Sequence, residues 1–249
     1  MQAFLARRSR AAVPAAHATS TTTPPSDVAA NPPRLHNGFD PDAERQAAVE
    51  AAREAFLPTR LAAAAKNRAL AERLKGKLIL APLTRGGNLP FRQLCADFGC
   101  EAAVSEMVFA RSLVGRNGGG KGAQKAEKTR LRRAANEPLF GVQIATNNIA
   151  EGVAAARLAQ EAGASFLSLN VGCPIYEATR RGLGAAMLRK PTKLARLVAG
   201  LVAETDLPVE VKIRTGPGES NINAGFVAAL MEAAGAAVVT IHGRTMEQR

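Results

Sequence analysis

Residues 165–175 read SFLSLNVGCPI. An apolar, strand-like run over 165–170 stops at Gly172-Cys173-Pro174, a corner where strand must give way to loop. A cysteine between Gly and Pro at such a corner is held in one place. Its reference pKa of about 8.5 leaves a thiol mostly protonated near neutral pH, so it can serve as a general acid. The alternative is a buried Cys acting as a small hydrophobe. Asn170 just before the corner and the Gly182-Leu183-Gly184 loop after it favour a site, with that loop as a mobile cover.

Outward from this corner the same grammar repeats. Strand-like runs lie at 77–84, 102–107, 139–145, 165–170, 208–214 and 237–243, and helix-like stretches at 148–162, 192–205 and 223–234 run between them. The AGA turn at 162–164 and the AGAA turn at 234–237 read as helix C-caps leading into strands. Alternating strands and helices predict a parallel sheet, with the strands apolar on both faces. Polar residues gather at the C-terminal strand ends: Thr84, Arg85, Glu106, Gln143, Asn170, Lys212, Arg214, His242 and Arg244. That is where a (β/α)₈ barrel places its chemistry. The expected fold is α/β, an incomplete TIM-type barrel of about six βα units over 77–249, preceded by a helical preface at 42–76.

The formal net charge of +12 is concentrated. One basic stretch holds Arg111, Arg116, Lys121, Lys125, Lys128, Arg130, Arg132 and Arg133, and a second holds Arg180, Arg181, Arg189, Lys190, Lys193 and Arg196. Placed on one face with Cys173, they would form a footprint for a phosphate backbone. Residues 1–41 read as a disordered leader, rich in Ala, Ser, Thr, Arg and Pro with no acid before Asp27. That composition fits an organelle transit peptide or a plain disordered tail, and it lacks the apolar core of a secretory signal. No apolar run reaches the 18 or more residues of a spanning helix, so no membrane association is expected.

Other motifs are weaker. Cys95 and Cys100 have no zinc spacing and are expected in the core, and no metal site is expected. His17 and His36 fall in the N-terminal region and are expected to be silent, whereas His242 ends the sixth strand on the chemically active side. Gly115–Lys121 imitates a phosphate loop but is followed by Gly122 instead of Ser or Thr. The Gly182-Leu183-Gly184 pair has Met187 where a dinucleotide fingerprint needs glycine.

Six segments together resemble the tRNA-dihydrouridine synthases: LAPLTRGGNLPFR at 80–92, FGVQIA at 140–145, LNVGCPI at 169–175, GLGAAML at 182–188, VEVKIRTG at 209–216 and VVTIHGRTMEQR at 238–249. The first and last look most like the eukaryotic branch acting on a variable-loop uridine. The resemblance implies a flavin enzyme that reduces a uridine of tRNA to 5,6-dihydrouridine, with FMN as cofactor and NADPH or NADH as reductant. It implies that Pro82, Leu83, Thr84, Gln143, Lys212 and His242 contact the flavin. Asn170 would hold the uracil with Arg214 and Arg244 as further substrate contacts, and Cys173 would be the catalytic acid. It implies a tRNA partner, a monomer, and a cytoplasmic or nuclear location, against which the leader composition sets mitochondrion or plastid. The family's last two barrel units, C-terminal helical domain and N-terminal Cys-rich fingers have no counterpart here, so the chain reads as a truncated piece expected to bind FMN weakly. Two rival readings are a flavin barrel reducing a small pyrimidine and a non-catalytic RNA-binding remnant.

Overall fold

Three central strands explain the architecture. In β4 (Phe140–Ala145), β5 (Phe166–Val171) and β6 (Val209–Arg214), every second residue is apolar and joins one continuous core: Phe140, Val142 and Ile144; Leu167, Leu169 and Val171; Val209, Val211 and Ile213. The intervening positions point to the opposite face and, apart from Phe166 at the start of β5, are small or polar: Gly141 and Gln143, Ser168 and Asn170, and Glu210, Lys212 and Arg214. Period-two alternation of this kind gives a sheet with a helix-covered apolar face and a second face of different chemistry. The expectation of strands apolar on both faces is therefore corrected.

The structure, a computed structural model, describes residues 41–115 and 125–248, without the side chains of Lys125 and Ala126. It opens with α1 (Pro41–Ala55) and α2 (Leu57–Leu74), followed by β1 (Ile79–Leu80), α3 (Leu89–Asp97), β2 (Ala102–Val104), β3 (Val108–Phe109), α4 (Ala110–Val114) and α5 (Lys125–Arg130). Then come β4, α6 (Ile149–Glu161), β5, α7 (Tyr176–Thr179), a 3₁₀ turn at Gly184–Arg189, α8 (Pro191–Glu204), β6, α9 (Ala224–Ala233) and β7 (Val238–His242). All strands pair in parallel in the order β1-β2-β4-β5-β6-β7, with β3 also on β4. The sheet curls as part of a TIM-type barrel, and the fold class matches the sequence reading. The leader and both of its histidines lie outside the described residues. Among the described residues no helix is long and apolar enough to cross a membrane.

The second strand departs from expectation. Val104 pairs with Gly141 and Val108 with Ile144, so three residues, Ser105 to Met107, face two on β4. This is a β-bulge, and Ser105 makes it tolerable: its Oγ accepts the Gln143 N–H at 3.0 Å in place of a ladder carbonyl. The first strand is likewise shorter than 77–84, with only Ile79 and Leu80 paired.

The N-terminal end of the sheet is plugged. Leu70 and Leu74 of α2 pack with Ala102, Val104, Leu139 and Phe166. The Phe166 ring occupies the place that a Cβ at Gly141 would take, which is why glycine stands there. Beside this plug a buried ion pair joins α3 to the segment entering β4. Arg92 Nε lies 2.7 Å from Glu137 Oε1, and both side chains are 1% exposed. The remaining guanidinium groups donate to the carbonyls of Gly87 and Arg132, and the ring of Phe140 lies beneath. Glu137 also accepts the Ala134 N–H. A buried pair satisfied in this way costs little, but one partner left alone costs much. Arg92→Met is expected to lower unfolding free energy by about 3–5 kcal/mol, and Arg92→Met with Glu137→Met by less than the sum of the single changes. Urea denaturation of the double-mutant cycle measures both, and additive losses would refute the coupling.

Candidate active site

The site is built at the C-terminal strand ends, beginning with the corner after β5. Asn170 Oδ1 accepts two backbone N–H groups, from Gly172 at 3.2 Å and Cys173 at 2.9 Å. The Cys173 backbone is held from its other side too, since its carbonyl accepts the Ala185 N–H at 3.0 Å. Gly184 makes this approach possible: its φ is 59°, and an added Cβ would collide with the Cys173 carbonyl. The Cys173 side chain is half-buried, packed beside Met107, Ala178 and Leu183.

Asn170 Nδ2 in turn donates to Gln143 Oε1 at 2.7 Å, and Gln143 Nε2 donates to Ser168 Oγ at 3.1 Å. Gln143 is 1% exposed and Asn170 8%. Strand register places Glu210 beside Ser168, and Lys212 between Asn170 and Thr240. Ser168 and Thr240 are the hydroxyls beside the Glu210 carboxyl, whose Oε2 has no partner. Burial raises the Glu210 pKa above its ordinary value, against the opposing pull of Ser168, Thr240 and Lys212. Lys212 is pushed the other way, lowered chiefly by burial and further by Arg214, with Glu210 opposing.

The remaining residues stand higher at the mouth. Arg214 Nε donates to the Gly172 carbonyl at 2.7 Å, and Nη1 donates to the carbonyls of Thr245 at 2.6 Å and Gln248 at 3.3 Å. Much of its donor fork therefore ties the corner after β5 to the segment after β7. His242 is exposed at the end of β7, its pKa lowered by partial burial and by Arg214, Lys212 and Arg244. Arg244 is exposed and its carbonyl accepts the Thr215 N–H.

Pro82, Leu83 and Thr84 follow β1 in a turn that carries Arg85 at a φ of 63°. The turn is closed by Gly87 N–H donating to the Leu83 carbonyl at 2.7 Å. It is pinned by Glu106 Oε1, which accepts the Arg85 N–H at 2.6 Å. The bulge between β2 and β3 thus delivers Glu106 to the first loop. Cys173, Asn170, Gln143, Lys212 and Arg214 form one connected group, and the first loop reaches the mouth through Glu106.

The basic stretches divide. Arg189, Lys190 and Lys193 line a cavity of about 410 Å³ with Asn147, Gly182 and an apolar floor that includes Met187 and Leu194. Gly182 puts this cavity next to the loop that covers Cys173. Arg111 follows β3 on the same side. Arg133 does not: it donates to the carbonyls of Glu137 and Gly163, just ahead of β4 and β5, at the opposite end of the strands. The expectation that both stretches share the Cys173 face is corrected for this part, because α5 carries the chain back toward the start of β4. Arg116 and Lys121 lie outside the described residues, as does most of the glycine-rich 115–121 segment. Cys95 and Cys100 are half-buried and not in the core, and the Cys100 thiol lies against the Ala102 carbonyl at 3.0 Å.

Ser168, Glu210 and Thr240 were missed by the sequence reading. The signal was present in VEVKIR, where every second residue is charged.

Residues 79–249 match the family model described as Dihydrouridine synthase (Dus). The tRNA-dihydrouridine(47) synthase [NAD(P)(+)] of Cryptococcus neoformans is 40% identical over 182 residues, covering 70% of this chain and 24% of that protein. The human tRNA-dihydrouridine(47) synthase [NAD(P)(+)]-like protein is 37% identical, covering 71% and 26%. The tRNA-dihydrouridine synthase B of Proteus vulgaris is 36% identical, covering 70% and 52%. The chain thus spans about a quarter of the length of these eukaryotic relatives and half of the bacterial one.

Because the Glu210 pKa in the fold lies above its ordinary 4.5, the stability it permits is fully present below 4.5 and declines as pH rises through the raised value. Glu210→Gln removes the ionisation. Its Tm is expected to gain on the parent as pH goes from about 5 to 8, by about 2–4 °C for each kcal/mol of parental loss. A constant gap across that range in thermal melts would show that Glu210 titrates normally.

Proposed function

The chain belongs to the dihydrouridine synthase family, and from that premise we propose that it serves the reduction of a tRNA uridine to 5,6-dihydrouridine at the mouth formed by β4, β5 and β6. The observation that carries the reading is the Cys173–Asn170–Gln143 cluster. A cysteine, and two amides able to face a heterocycle, are fixed on one hydrogen-bonded framework.

The residues present fit a flavin mononucleotide. Gln143 and Lys212 offer an amide and a half-buried cation on inward positions of the two strands that flank Asn170, and the Pro82–Thr84 backbone follows β1 at the same end of the sheet. A bound reduced flavin, renewed by NADPH or NADH, would supply a hydride to uracil C6. Uracil's C5=C6 bond is conjugated with the C4 carbonyl, so charge develops toward C5 and O4. Lys212 and the Asn170 amide stabilise charge at that edge. The Cys173 thiol delivers its proton to C5, completing the saturated ring, and solvent restores the thiol proton. The target base must leave its stack in tRNA to enter. Arg189, Lys190 and Lys193 grip phosphates beside the opening, since among the described residues no ion pair engages them.

Removing the proton donor is expected to cost about 10²–10⁴ in rate. Cys173→Ala should therefore lower dihydrouridine formation on unmodified tRNA by that factor while leaving flavin absorbance intact. Parental product levels would refute the acid role. Lys190→Glu with Lys193→Glu should weaken tRNA binding and flatten the log–log salt dependence by about one per lysine. An unchanged slope in filter binding would remove those residues from the interface.

A further inference from the structure

The hydrogen bonds beneath Asn170 run in one direction only. The N–H groups of Gly172 and Cys173 can only donate, so Asn170 must turn Oδ1 toward them and Nδ2 toward Gln143. Gln143 must then present Oε1 to Asn170 and Nε2 to Ser168. Ser168 Oγ, having accepted that bond, has its own proton to place, and strand register sets the Glu210 carboxyl beside it as the acceptor. Neither amide can be reversed without leaving two backbone donors or a buried hydroxyl unmatched.

The consequence lies at the top of the chain. Asn170 Oδ1 is saturated by two backbone donors, so its one remaining valence is an Nδ2 hydrogen. It can read only an acceptor. We infer that Ser168 and Glu210 are positioning residues that hold Gln143 with Oε1 toward Asn170 and so reinforce the donor orientation set by its backbone partners, so that the site selects a base edge carrying a carbonyl, uracil O4, over one carrying an amino group, as in cytosine. The base assignment rests on the tRNA-uridine reading above; this lock on the two amides does not. Uracil and cytosine differ at position 4 by an acceptor against a donor, which is the distinction a fixed N–H makes. Glu210 suits the role because a carboxyl accepts from Ser168 whether or not it is ionised.

The test uses the ¹⁵N-labelled chain. Hydrogen exchange is followed at the side-chain amides of Asn170 and Gln143, with backbone amides of β4 and β5 reporting that the fold persists. Ser168→Ala and Glu210→Leu should each speed side-chain exchange by about tenfold, the factor for one lost hydrogen bond of ordinary strength. Glu210→Gln keeps an acceptor for Ser168 and should stay within about twofold of the parent. Equal protection in all four proteins overturns the lock. So does a Glu210→Gln protein that exchanges as fast as Glu210→Leu, because an acceptor would then not suffice. The second arm titrates uridine 5′-monophosphate and cytidine 5′-monophosphate against the Asn170 amide signals. The parent should prefer the uridine nucleotide by about tenfold, and Ser168→Ala should lose most of that preference. Equal affinity in a parent whose amides are protected sinks the uridine reading and leaves the lock standing. A preference retained by Ser168→Ala sinks the lock and leaves the uridine reading.

Discussion

The carboxamide of Asn170 is the knot in this structure. It holds the backbone of Gly172 and Cys173 on one side and the side chain of Gln143 on the other. A sheet ladder ends wherever its strand ends, and the first residues beyond have unpaired N–H groups that something must satisfy. Here a side chain from the last inward position of β5 does so. The loop therefore leaves the sheet in a direction set by the strand itself. Cys173 inherits its place from that geometry, and Gly184 closes over its carbonyl from the far side. The position of the thiol thus depends on backbone contacts more than on its own packing, which tolerates a reactive group better than a fully closed core would.

Much of this was legible in the sequence, for reasons that can be located. The corner at 172–174 and the helix caps at Gly163 and Gly235 were readable because Gly and Pro act through local backbone sterics, and both glycines do take a positive φ. The order of strands and helices was readable from periodicity. What escaped depends on partners distant in the chain. The split between β2 and β3 exists because Ser105 can satisfy Gln143, 38 residues later. The Arg92–Glu137 pair is charged in a span that reads as surface, and it is buried because α3 lies along the segment entering β4. Glu210 was visible as an alternating charge, but its partners belong to other strands. The basic stretch at 111–133 misled because charge count carries no information on which end of a barrel a segment reaches.

The barrel interior is layered in a way that alternation alone produces. Phe166 lies near the bottom with the apolar plug, Ser168, Glu210 and Val238 above, Asn170, Lys212 and Thr240 next, and Arg214 with His242 at the mouth. Each step of two residues along β6 moves from acid to ammonium to guanidinium. The acid is the deepest and most buried, so it is the group for which neutrality is favoured. Lys212 above it is half-buried, and Arg214 at the mouth is buried against the backbone carbonyls it binds. The field of the mouth is positive, and it remains so because the carboxyl beneath is biased against ionising.

That field bears on which group can give up a proton. His242 is the residue one would first ask to act as an acid, but Arg214, Lys212 and Arg244 surround it and lower its pKa. Its charged, proton-donating form is therefore disfavoured there. A guanidinium is a poor proton donor in this range, and Arg214 is bound to backbone carbonyls on two segments. Lys212 is shifted toward neutrality by burial, with Glu210 opposing the shift. The acid proposed above, Cys173, differs in kind, since a thiol can give up a proton without first gaining a charge. Arg214 couples electrostatically to both groups, so the cation that works against a charged histidine also faces the cysteine.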